Sequence, residues 1–96
     1  MDFKMSWAMA GEHMDEWTGA GFGQAAHALR ERVGSAVEAS GMTPEAQEHF
    51  RQSFIVPTQK AICTEGYEAL RAGHGWTKAV GPLLVALDPA MKPAIS

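Results

Sequence analysis

The spacing of apolar residues constrains the fold of this chain more than any other feature. Phe3, Trp7, Ala10, Met14 and Trp17 step by four, three, four and three, the interval at which side chains share one face of an α-helix. A glycine-rich break, Gly19 to Gly23, follows. The rhythm then restarts with Phe22, Ala26, Leu29, Val33 and Ala36, its phase slipped by one residue. The glycines therefore either kink one long helix or separate two.

Ser40-Gly41-Met42 reads as a stop, with Gly41 suited to a left-handed C-terminal cap. Thr43-Pro44-Glu45 reads as a restart: a capping hydroxyl, a proline at the first helical position and an acid at the positive end of the dipole. The next helix places Phe50, Phe54 and Ala61 on one stripe and Ile62, Ala69 and Leu70 on an adjoining one. Pro57 lies within it, removes an amide and is expected to kink or split it. Gly73-His74-Gly75 ends it. Trp76, Val80, Leu83 and Leu87 form a last stripe, and Asp88-Pro89 repeats the cap-plus-proline signal. Phe54-Ile55-Val56 is the one β-favouring run, and Pro57 closes it. These patterns predict an all-α fold, a small antiparallel bundle of three to five helices kinked near Pro57. It would form a single domain over residues 1–90, with 91–96 as a tail.

Composition narrows the function classes. The chain has 96 residues with a net charge of −3, from eight basic and eleven acidic side chains. That balance lacks the basic excess with which most nucleic-acid-binding domains engage phosphates. A single cysteine, Cys63, rules out an internal disulfide and a cysteine-rich zinc site. There is no signal-peptide pattern at Met1-Asp2-Phe3-Lys4. The longest apolar run, Leu83 to Leu87, is far too short to span a membrane. A cytoplasmic location is expected, although leaderless secretion would leave no trace in these features.

Several residue groups have the chemistry of a site. Gly19, Gly21 and Gly23 precede a helix, but a helix is also predicted before them. The glycine spacing and flanking residues do not match a nucleotide-binding loop, so a hinge or close helix contact is expected. Carboxylates and histidines recur together, and His13, Glu16, Glu45 and His49 are the candidates for a metal site shared between subunits. The Glu-x-x-His step of a carboxylate-bridged bundle centre is missing. His27, beside the Ala26 seam, is the candidate ligand for a haem or small molecule between helices. Cys63 lacks the cationic surroundings of an activated thiolate, and no catalytic constellation is recognisable.

The first segment carries the strongest signal. Phe3, Trp7, Met14 and Trp17 lie on one side of the predicted helix and Met5 and Met9 on another. A helix apolar on two sides needs two surfaces to pack against, and Trp and Met are enriched at interfaces. The expectation is a non-enzymatic helical protein that acts through protein–protein contacts, as a homo-oligomer, adaptor or structural subunit. Phe3, Trp7, Met9, Met14 and Trp17 would be its interface anchors, its partner itself or another protein, and no cofactor is expected. The second reading is a bundle that binds a small molecule, haem or metal between helices or subunits.

Overall fold

A computed structural model describes residues 2–9 and 13–89, with His13 described in its backbone only. Two β-hairpins flank a helical hairpin. The strands β1 (Phe3–Met9) and β2 (His13–Gly19) come first. Helix α1 (Phe22–Ala39) follows, and a second helix, α2, runs over residues 44–71. The strands β3 (Trp76–Val80) and β4 (Leu83–Pro89) close the chain. All four strands form one antiparallel sheet in the order β2-β1-β4-β3. The fold is α+β, which overturns the predicted all-α bundle.

The physical reason for this correction lies in the spacing itself. A separation of four residues is a turn of helix, but it is also two steps of a strand. Phe3 and Trp7, Trp76 and Val80, and Leu83 and Leu87 satisfy both patterns. The residue midway decides for two of them: Met5 and Val85 are apolar, so Phe3-Met5-Trp7, continued by Met9, and Leu83-Val85-Leu87 are period-two runs, whereas Lys78, midway between Trp76 and Val80, is charged and leaves β3 without that signal. In β1 buried residues alternate strictly with half-buried Lys4, Ser6 and Ala8. The apparent second apolar side of a helix is thus the same face of a strand. Ala10, one member of the helical stripe, and the predicted tail 91–96 lie outside the described residues.

The predicted breaks keep their places but join different elements. The glycine-rich stretch links β2 to α1 rather than helix to helix. Pro82, which falls within the predicted helical stripe from Trp76 to Leu87, sits with Gly81 in the two-residue turn between β3 and β4, where Val80 pairs with Leu83. Gly81 has φ 61, the positive value that the first central position of a tight hairpin turn requires. Asp88 and Pro89 end β4 instead of starting a helix.

The helical half follows its signals more closely. Thr43 Oγ1 accepts from the Ala46 amide at 3.1 Å, with Pro44 opening the helix. Pro57 does not split α2. The backbone stays helical through two π-type stretches, Arg51–Ile55 and Ile62–Gly66. Each such stretch inserts one residue into the turn and rotates the face that follows. The two adjoining stripes of the sequence thereby become one buried face of Phe50, Ile55, Thr58, Ala61, Ile62, Gly66 and Leu70. The first stretch ends just before Pro57, where the ladder must lose a donor.

Both helices cover the same side of the sheet, α1 over β1 and β2, α2 over β3 and β4. The core lies between these two layers. Phe3, Met5, Trp7, Met9, Leu83, Val85 and Leu87 from the sheet meet Leu29, Val33, Val37, Ile55, Ile62 and Leu70 from the helices. Ion pairs tie both edges to the helices. Asp15 on β2 pairs with Arg32 of α1 at 3.2 Å, and Lys78 on β3 pairs with Glu65 of α2 at 3.2 Å.

Candidate functional site: the uncovered face of the sheet

A four-stranded sheet has two faces, and the described helices cover one. Strand alternation sends Lys4, Ser6 and Ala8 of β1 to the other, with Met14, Glu16 and Thr18 of β2, Leu84, Ala86 and Asp88 of β4, and Thr77 and Ala79 of β3. The register sorts them into rows across the strands. Met14, Ala8, Leu84 and Ala79 form one continuous apolar row. Glu16, Ser6, Ala86 and Thr77 form the next, and Thr18, Lys4 and Asp88 the third. The face therefore grades from apolar at one end to charged at the other.

Met14 is 79% exposed and Leu84 is 45% exposed. Small residues surround them, so their side chains stand above a low floor. Ser6, Ala8, Met14, Glu16, Leu84 and Ala86 border a shallow depression of about 520 Å³. On this face Lys4 Nζ lies 3.8 Å from Glu16 Oε2. Chemically the surface offers apolar contact, a few hydroxyls and the Lys4–Glu16 ion pair, with Asp88 beside Lys4 in the register.

The residues singled out from sequence are dispersed by this fold. Phe3 is 0%, Trp7 5% and Met9 7% exposed, so their apolar surface is spent inside the molecule. Trp17 is half-buried, its ring 5.6 Å from that of Phe3. Met14 is the one of the five anchors whose side chain stands in solvent. Of the metal candidates, Glu16 lies on the uncovered face, while Glu45 and His49 belong to the first turns of α2 on the opposite side of the sheet. The side chain of His13 lies outside the described residues. No group of three or more metal-ligating side chains is found among the described residues. His27 is solvent-facing on α1, with Nε2 3.8 Å from Glu31, and does not point into the core. Cys63 is exposed, its Sγ 3.8 Å from the Phe22 carbonyl oxygen.

A second concavity lies between the helices, bordered by Arg30, Glu31, Glu38, Gln47, Glu48 and Arg51. At its centre Glu48 and Arg51 pair with each other. The Glu48 carboxylate accepts from Gln52 Nε2 and from the Arg51 guanidinium, and those bonds hold its pKa below the ordinary carboxylate value. A carboxylate so held is ionised at neutral pH and cannot act as a general acid there.

Sequence reasoning missed Ala8, Leu84, Ala86 and Ala79. The usable signal was the pairing of an apolar odd-numbered series in β1 with small even-numbered residues, Ser6 and Ala8, and its counterpart in β4. No protein-family model, curated protein or solved structure matches this chain. No helix among the described residues is long and apolar enough to cross a membrane.

Proposed function

We propose that this protein acts through protein–protein contacts, and that the uncovered sheet face is its contact surface. The observation that carries the reading is the row Met14–Ala8–Leu84–Ala79, an apolar band across all four strands with no described element over it. Antiparallel sheets tolerate water on one face when that face is polar; this row is not. A contiguous apolar patch rimmed by polar residues is the usual mark of a docking surface. The exposed, unpaired Cys63 suits a reducing compartment such as the cytoplasm.

The test is Leu84→Glu, alone and with Met14→Glu. Both positions are exposed, so the fold should persist, as near-ultraviolet circular dichroism would show. Any association through this face should weaken by at least about a hundredfold, because a carboxylate would be desolvated in the contact. Sedimentation equilibrium measures the effect on self-association, and pull-down against bound partners measures the rest. Association unchanged in the double variant would overturn the assignment.

A further inference from the structure

Resting on that reading, we infer that the occupant of the uncovered face is a second copy of this chain, packed sheet against sheet about a two-fold axis that runs parallel to the strands between β1 and β4. A self-complementary face is what an isologous dimer requires, and the arrangement of rows and strands decides which axis can satisfy it.

A two-fold axis across the strands would lay the apolar row of one copy on the charged row of the other. An axis along the strands keeps each row over its own counterpart and reverses the strand order, so β1 faces the partner's β4 and β2 faces the partner's β3. In that arrangement Lys4 lies over Asp88 of the partner subunit, twice by symmetry, and opposite charges meet. The apolar rows interlock by size: Leu84 sits over the partner's Ala8, and Met14 over the partner's Ala79. At the centre Ser6 lies over the partner's Ala86, and two small residues allow close approach. In the apolar row the register sets large against small, and in the middle row Glu16 lies over the partner's Thr77, a hydroxyl that can donate to it. Charge and size therefore agree on one axis. Face-to-face sheets commonly align within about 30° at a spacing of about 10 Å, which accommodates such a pairing.

Area sets the strength. Strands about 4.8 Å apart with a rise of about 3.3 Å per residue give this sheet a flat face of roughly 400 Å² per copy. Even with side-chain relief, the pair lies at the low end of specific interfaces, so a dissociation constant on the order of micromolar is expected.

Charge reversal tests the axis, with sedimentation equilibrium as the readout. Lys4→Asp and Asp88→Lys should each weaken the dimer by about tenfold, since each places two like-charged pairs in the contact. The double variant should recover most of that loss. A second measurement uses trapping in a Cys63→Ser background: chains carrying Ala8→Cys, mixed with chains carrying Leu84→Cys, should form the mixed disulfide in preference to either homodisulfide. If the single reversals have no effect, or the double variant stays as weak as they are, this arrangement is overturned. In that case Leu84→Glu still dispersing the dimer would leave the docking face itself standing. A wild-type chain that stays monomeric as its concentration is raised overturns the second copy as occupant, while loss of another protein's binding in Leu84→Glu would keep the face as a contact surface.

Discussion

Trp7 shows how position in the pleat decides a residue's role. It sits in the centre of β1 on the helix-covered face, paired with Asp15 on one side and Val85 on the other. Its ring fills the space between sheet and helices, and its Nε1 is buried with no hydrogen-bond partner among the described residues. An unpaired buried donor costs about 1–3 kcal/mol, so this indole is kept for its volume. Trp7→Ala should lower folding stability by about 3–5 kcal/mol, read by urea denaturation. The same variant should leave self-association of the molecules that remain folded unchanged. Trp7→Phe keeps a ring and removes the stranded donor, so its loss should be markedly smaller. A Trp7→Ala protein of native stability but weakened association would return this residue to the surface role that its type suggests.

At the level of elements, the sequence is legible where local chemistry acts alone. The Thr43-Pro44-Glu45 start, the stop at Gly41 and the stop at Gly73 fall where capping predicts, and Gly41 and Gly73 both have positive φ. The α1 face was legible too, since Ala26, Leu29 and Val33 are buried as their spacing implies. Both hairpins were hidden, because an apolar pair four residues apart fits strand and helix alike and the turn between β3 and β4 is read as a proline inside a helix. The π-type stretches of α2 leave no spacing signal that distinguishes them from two separate stripes. The uncovered face was visible only through Met14, because Ala8, Ala79 and Ala86 gain meaning from strands that pair across long stretches of chain. Gly81 is the residue on which the second hairpin turns. A side chain there would adopt an unfavourable left-handed conformation at about 1–2 kcal/mol and would run into the Phe54 ring of α2. Gly81→Ala should therefore destabilise the fold by about 2 kcal/mol or more, measured by thermal or urea unfolding. A change within a few tenths would mean that the turn and Phe54 relax freely.

For the whole molecule, the decisive fact is that β1 and β4, the first and last strands, lie side by side at the centre of the sheet. The helical hairpin between them is closed by local contacts, but the sheet can form only when residues 3–9 and 83–89 meet. Long-range pairing of this kind slows folding, because loop closure precedes the contacts that reward it. It also couples the two layers. The helix faces that bury Leu29, Val33, Ile62 and Leu70 share one core cluster with Leu83, Val85 and Leu87 of β4, so loss of that strand uncovers part of them. Removal of residues 76–96 would take away Leu83, Val85 and Leu87 and leave β1 with an unpaired edge along Phe3, Met5, Trp7 and Met9. Such an edge invites aggregation. The truncated chain should lose its cooperative unfolding transition and its near-ultraviolet signal, even where far-ultraviolet circular dichroism retains helix from α1 and α2. A truncated chain that still unfolded cooperatively would show that the helical hairpin and β1–β2 form a unit of their own. The coupling also bears on the proposed contact face: each of its rows draws on both hairpins, so the face exists only in the fully folded chain.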